Sequence, residues 1–210
     1  MKPQMAPIKG LYAVTPDLAD TTLLLRKVGA ALAGGARLLQ YRNKTAHTAL
    51  RLERASALST LCQRYAAALI INDHVSLAPA TGAAGVHVGR EDAAAAKARA
   101  ELGPGKIIGV SCYDDMARAT AAVGEGADYI AFGSFFASPT KPGATRAPLA
   151  LLAQARQQFK VPVIAIGGID LENAATVISA GADAVAVISA LFDARDITAT
   201  AREFCNLFTT

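Results

Sequence analysis

Tryptophan is absent from this 210-residue chain, aromatic residues make up only 6% of it, and cysteine occurs three times, at Cys62, Cys112 and Cys205. Three scattered thiols without metal-type spacing argue against a disulfide framework and suit buried free thiols in a reducing cytosol, so a cytoplasmic location is expected. No apolar run approaches the roughly 18–20 residues of a membrane-spanning helix, and no membrane association is expected. The opening stretch MKPQMAPIKGLYAV has no apolar segment followed by a small-residue cleavage site, so no signal peptide is read there. Basic clusters are lacking too. The net charge of +4 is spread along the chain, and with so few aromatics it speaks for anionic small molecules rather than nucleic acid.

What is present is a rhythm. With 52% apolar and 18% charged residues the chain can build one core. Strand-like runs recur as GLYAVT (10–15), RLLQYR (37–42), ALIIN (68–72), GVHVG (85–89), KIIGVS (106–111), DYIAFG (128–133), PVIAIGG (162–168) and AVAVIS (184–189). Segments with helical spacing lie between them, such as 49–68 and 148–159. Alternating strands and helices predict parallel βαβ units. Eight units of about 25 residues match a small (β/α)8 barrel. An open doubly wound sheet shares this periodicity; the expectation is one (β/α)8 TIM-barrel domain over residues 1–210. A local repeat supports it. GGARLLQY (34–41), GAAGVHV (82–88), GADYIAF (126–132) and GADAVAV (181–187) each set glycine before a strand, where a helix stops in the left-handed conformation.

Polar residues gather after the strands, at the end where (β/α)8 proteins carry their active sites. In LLQYRNK (38–44), strand alternation places Gln40, Arg42 and Lys44 toward the barrel mouth and Leu39 and Tyr41 toward the helices. Buried cations need a partner, and an anionic ligand would supply it. The plainer reading has Lys44 in the loop and Arg42 paired with a structural acid. Asp73 and Asp92 follow adjacent strands and together suit Mg2+, which takes one or two carboxylates plus water and phosphate oxygens. The plainer reading makes Asp73 a helix cap and places Asp92 in a first turn. His74 and His87 invite a zinc reading, but no second His or Cys has suitable spacing, and His87 within a strand of valines reads as a satisfied histidine.

Within the connection FFASPTKPGATRAP (135–148), the segment ASPTKPG joins two hydroxyls and a lysine to two prolines, as a phosphate-binding loop would, and the connection is expected to close over substrate. Gly167-Gly168 and Ile188-Ser189 follow the last two strands, where backbone N–H groups of many barrels hold a phosphate. The residues therefore describe two anion sites, one with cations and a metal, the other of backbone and hydroxyls.

The ordered set LLQYRNK, IINDHVSLA, GVHVGRED, IGVSCYDD, GADYIAFGSFFASPTK, VIAIGGI and GADAVAVISA closely resembles the thiamine phosphate synthase family, from about Leu11 to Ala190. The resemblance implies a transferase that joins 4-amino-2-methyl-5-pyrimidinylmethyl diphosphate to a thiazole phosphate and releases diphosphate. By the family pattern, Gln40, Tyr41, Arg42, Asn43, Lys44, Asn72, Ser111 and Lys141 contact the pyrimidine diphosphate. Asp73 and Asp92 match the Mg2+ ligands. Ser138, Pro139, Thr140, Gly168, Ile188 and Ser189 match the thiazole phosphate site. Arg42, Lys44, Lys141 and Ser111 are then the candidate catalytic groups, which neutralise a leaving diphosphate. In such enzymes departure leaves a pyrimidinylmethylene cation that the thiazole nitrogen attacks, and no nucleophilic side chain is required.

Departures are mild. Ser138-Pro139-Thr140 stands where the loop often reads Thr-x-Thr, and Tyr113 stands where many members have His. Related thiazole tautomerases use a His near that position, so Tyr113 counts against that alternative. A barrel that binds thiamine phosphate without making it has no evident use for Asp73 and Asp92. The oligomeric state is left open by the sequence, a homo-oligomer included.

Overall fold

A computed structural model describes residues 8–89, 95–137 and 145–209. In chain order the elements are β1 (Gly10–Val14), α1 (Thr21–Ala33), β2 (Leu38–Tyr41), α2 (Thr48–Arg64), β3 (Ala68–Asn72), α3 (Leu77–Thr81), β4 (Gly85–Val88) and α4 (Ala95–Leu102). There follow β5 (Ile107–Tyr113), α5 (Met116–Gly124), β6 (Tyr129–Phe132), α6 (Ala150–Gln158), β7 (Val163–Ile166), α7 (Ala174–Ser179), β8 (Ala184–Val187), α8 (Ser189–Phe192) and α9 (Ile197–Asn206). The strands pair in parallel in sequence order, and β8 returns to β1, so the sheet closes. The architecture is the expected (β/α)8 TIM barrel, and closure decides against the open sheet. Among the described residues no helix is long and apolar enough to cross a membrane.

Strand alternation sorts side chains into two cores. Leu11, Ala13, Leu39, Tyr41, Leu69, Ile71, Val86, Val88, Ile108, Val110, Ile130 and Phe132 face outward and pack against the helices. Tyr12, Val14, Leu38, Ile70, Ile107, Tyr129, Ala131, Ile164, Ala184 and Ala186 fill the barrel itself. The helices present apolar stripes to the outer core; α1 buries Leu24, Val28, Ala31 and Leu32, and Asp20 caps it by accepting from the Thr22 and Leu23 N–H groups. The glycine repeat has the conformation expected of a helix stop: Gly35, Gly82, Gly126 and Gly181 all have positive φ. Cys62 and Cys112 are buried, with their thiols pushed up to about 12 by that burial, whereas Cys205 is only half-buried.

The two GAD copies share a further device. Asp128 and Asp183 each give their N–H to a carbonyl of the preceding strand (Ile108 O at 2.7 Å, Val163 O at 2.8 Å). Each carboxylate then accepts that same residue's N–H, at 2.7 Å and 2.9 Å. The same oxygen meets an arginine from the preceding helix, Arg99 of α4 at 2.5 Å and Arg156 of α6 at 3.3 Å. These clamps lie at the N-terminal end of the barrel, away from the mouth.

Interior volume is balanced by glycine. A Cβ at Gly109 would sit 1.8 Å from the Tyr129 ring, which is fully buried, so the missing side chain on β5 is what lets Tyr129 cross the barrel. Gly109→Ala is expected to lower the unfolding free energy by about 2 kcal/mol through overpacking. Gly124→Ala, which meets nothing within 4 Å, is expected to raise it by about 0.5 kcal/mol. Urea unfolding of the two variants checks both; equal effects would remove the Tyr129 ring as the cause.

Candidate active site

At the C-terminal end of the barrel the interior turns polar. Gln40, Asn72, His87 and Ser111 occupy inward positions near the ends of β2, β3, β4 and β5. Gln40 is 4% exposed and donates through Nε2 to the Tyr12 hydroxyl at 3.0 Å. That hydroxyl lies 2.8 Å from the Tyr129 hydroxyl, and the rings meet edge to face. Tyr129 also stacks on His87 and reaches its Nδ1 at 2.9 Å, while His87 Nε2 lies 2.8 Å from Ser111 Oγ. Both ring nitrogens of His87 thus have partners, as the satisfied-histidine reading requires. Burial raises both phenols above their ordinary value, so each keeps its proton.

The stretch LLQYRNK departs from expectation in one respect. β2 ends at Tyr41, so alternation fixes only Gln40 inward and Tyr41 outward, and Arg42 and Lys44 are loop residues. The backbone of Arg42 is held twice by the buried Thr15 hydroxyl, which accepts from its N–H (2.9 Å) and donates to its carbonyl (3.0 Å). Its guanidinium pairs with Asp17 at 3.1 Å, the structural acid of the plainer reading. The other Asp17 oxygen accepts from the Lys44 N–H at 2.9 Å, and Lys44 itself is exposed. Asn43 is buried, and its side-chain oxygen accepts from the Thr45 and Ala46 N–H groups, which shapes the turn into α2. The β1–α1 loop carrying Asp17 is held in turn by Arg54, 1% exposed, which donates to Thr21 Oγ1, Leu18 O and Ala19 O.

After β3, Asn72 donates to an Asp73 carboxylate oxygen at 2.6 Å, and the Asp73 N–H is anchored on the His87 carbonyl at 2.9 Å. Asp73 has a φ of 63°, and α3 is capped at Ser76, so the helix-cap role proposed for Asp73 does not apply. A carboxylate held at a strand end is a ligand type that suits a hard cation. Asp92 lies outside the described residues, and among those described no cluster of three or more His, Cys, Asp or Glu forms a metal site.

β5 continues two residues past Ser111, with a register shift between Ser111 and Tyr113. Arg118 of α5 donates to the Ser111 and Gly89 carbonyls and stands over the Tyr113 ring at 5.8 Å. On the other side of the mouth, Gly167 and Gly168 both have positive φ. A Cβ at Gly168 would come within 2.3 Å of the Ala137 carbonyl, so the turn after β7 packs directly under the chain leading into residues 138–144. Ile188 follows β8 with its side chain against the barrel interior, and Ser189 opens α8. Ser138, Pro139, Thr140 and Lys141 lie outside the described residues.

Sequence reasoning missed Tyr12, Thr15, Asp17 and Tyr129. Tyr12 and Tyr129 did carry a signal, a large polar-tipped residue at an inward strand position, with Gly109 opposite Tyr129 in the β5–β6 register. Asp17 and Thr15 carried none, because their partner is more than 20 positions away in a loop.

Residues 11–191 match the family model described as thiamine monophosphate synthase. A thiamine-phosphate synthase of Methylobacillus flagellatus is 56% identical over 204 residues, covering 97% of each chain. That of Nitrosospira multiformis is 53% identical over 201 residues, or 96% of this chain and 86% of its own. Among solved structures, a thiamine phosphate pyrophosphorylase from Pyrococcus furiosus superimposes with a TM-score of 0.85 at 36% identity, with 95% of each chain covered. A 3-hexulose-6-phosphate synthase, 21% identical with a TM-score of 0.69 over 94% of this chain and 99% of its own, shares the fold alone. A family model spanning most of the chain, relatives above half identity and a matching barrel together establish that this chain belongs to the thiamine monophosphate synthase family.

Proposed function

We propose that this chain couples 4-amino-2-methyl-5-pyrimidinylmethyl diphosphate with 4-methyl-5-(2-phosphooxyethyl)thiazole, giving thiamine phosphate and diphosphate at the C-terminal mouth of the barrel in the cytoplasm. The observation that carries the reading is the division of that mouth into two sectors. Gln40, Arg42, Asn72, Asp73 and Ser111 stand at the ends of β2, β3 and β5, and the Gly167-Gly168 turn with Ile188 and Ser189 follows β7 and β8. The first sector has the cation, carboxylate and hydroxyl that a diphosphate requires; the second offers backbone N–H groups and a hydroxyl to a single phosphate.

In this reading Gln40, Arg42, Lys44, Asn72, Ser111 and Lys141 hold the pyrimidine diphosphate, with Tyr41 and Asn43 contributing backbone, since their side chains are committed elsewhere. Ser138, Pro139, Thr140, Gly168, Ile188 and Ser189 hold the thiazole phosphate. Asp73 and Asp92 would hold Mg2+, whose positive charge favours departure of the diphosphate. The methylene carbon–oxygen bond breaks, the electron pair leaves with the diphosphate, and the thiazole nitrogen lone pair forms the new carbon–nitrogen bond. That nitrogen carries no proton to lose, so the step requires no general base. Arg42, Lys44, Lys141 and the Ser111 hydroxyl meet the charge that develops on the leaving group, and fixed placement of the two substrates supplies the rest. Arg42 is suited to this because Thr15 and Asp17 set its position before substrate arrives.

Purified protein given both substrates is expected to release thiamine phosphate and diphosphate in equal amounts and only with Mg2+; a failure to form product despite substrate binding would sink the reading. Arg42→Ala is expected to lower kcat/KM about 100-fold, and Asp92→Asn to raise the Mg2+ concentration required about tenfold. Full turnover by Asp92→Asn at unchanged Mg2+ would remove the metal assignment. Asp17→Asn is expected to raise KM for the pyrimidine diphosphate about fivefold, the scale of a part-exposed ion pair, while KM for the thiazole phosphate stays within about twofold. Equal changes in both would show that Asp17 acts on the fold at large rather than on Arg42.

A further inference from the structure

Gln40 on β2 and Ser111 on β5 are separated on the barrel wall by β3 and β4, yet an unbroken line of hydrogen bonds joins them through the interior. Its links are Gln40 Nε2 to Tyr12 (3.0 Å), Tyr12 to Tyr129 (2.8 Å), Tyr129 to His87 Nδ1 (2.9 Å) and His87 Nε2 to Ser111 Oγ (2.8 Å). Each hydroxyl has one proton to give, and a neutral imidazole gives from one nitrogen and accepts at the other. With the Gln40 amide N–H directed at Tyr12, the remaining protons follow in order: Tyr12 donates to Tyr129, Tyr129 to His87 Nδ1, and His87 Nε2 to Ser111. The Ser111 proton is then available to the mouth as a donor. An acceptor in place of that N–H reverses every link and turns a Ser111 lone pair outward instead. A mixed arrangement would set two hydrogens or two lone pairs against each other at a buried contact, which is costly.

We propose that Tyr12, Tyr129 and His87 are positioning residues forming a relay that ties the hydrogen-bonding sense of Ser111 to that of Gln40. The functional part rests on the reaction proposed above. A ligand that offers an N–H to the Gln40 carbonyl and an anionic oxygen to Ser111 satisfies every link at once. An aminopyrimidine carrying a diphosphate offers both groups, whereas an oxo-pyrimidine with an acceptor at that edge sets Ser111 the wrong way for the anion. Discrimination between the two rings is therefore exercised partly at a hydroxyl on the far side of the site.

The relay is tested without any ligand. His87 is one of three histidines, so 15N-histidine spectra, assigned with a His87→Asn variant, report which imidazole nitrogen carries its proton. The wild-type protein is expected to carry it on Nε2. Gln40→Glu, which places an acceptor-only carboxylate at the head of the line, is expected to move it to Nδ1. In a Tyr129→Phe background, Gln40→Glu is expected to leave the His87 tautomer as it finds it, and Tyr12→Phe gives a second break should Tyr129→Phe lose its fold. A His87 proton indifferent to Gln40→Glu, or one that moves equally with the line cut, overturns the relay. With substrates, the kcat/KM losses of Gln40→Ala and Ser111→Ala are expected to fall short of multiplying by about fivefold, and to multiply once Tyr129→Phe is present. The same shortfall in both backgrounds would assign the coupling to the substrate and not to the relay. Inactivity of the wild type would count against the proposed reaction, while the spectra still decide the relay.

Discussion

A closed barrel leaves its inward side chains no sheet edge and no route to water except at the two ends. Every polar atom placed inside must therefore find its partner inside, and that constraint organises the active end of this molecule. Tyr12 and Tyr129 have apolar rings that fill the barrel and hydroxyls that meet at its centre. The centre can accept those hydroxyls only because Gln40 and His87 extend the line on either side. Fully joined, such a network fixes the positions of its members at the floor of the mouth, whichever way its protons run.

The loops above that floor are held differently, by tethers running from one unit to the next. The hydroxyl of Thr15 and the carboxylate of Asp17, both beyond β1, fix the chain beyond β2. Arg54, from the helix that follows β2, reaches back to fix the loop beyond β1. A buried guanidinium is costly to desolvate, and backbone carbonyls of a loop with no strand or helix of its own offset that cost. Each of the first two units thereby sets the geometry of the other, and Arg42 needs no ligand to find its place.

The period-two and helical patterns were legible because they are local: a strand facing two cores must be apolar on both sides, and a helix must stop before it returns to the sheet. Gln40 was legible for the same reason, as a polar residue at an inward strand position. Arg42 and Lys44 were misplaced because pairing, not composition, decides where a strand ends, and β2 stops at Tyr41. Tyr12 and Tyr129 stand at inward strand positions with polar tips, but the pairing of their hydroxyls spans 117 positions, and no local pattern announces which residue each one meets. Asp17 was invisible on similar grounds. Its task is to complement one arginine through space, and an aspartate after a proline looks like any turn.

The Asp128 and Asp183 clamps have a consequence for how the molecule can be altered. Each binds one preceding strand at both its N–H and its carbonyl and recruits an arginine from the helix before that strand, so three successive segments converge on one carboxylate. Both clamps sit at the end of the barrel opposite the candidate site. The scaffold is therefore fastened away from that site, which frees the loops at the mouth to be lengthened, exchanged or grafted while the register beneath them stays fixed. New chain termini would be tolerated in those loops and would unlace the barrel if cut at either GAD turn.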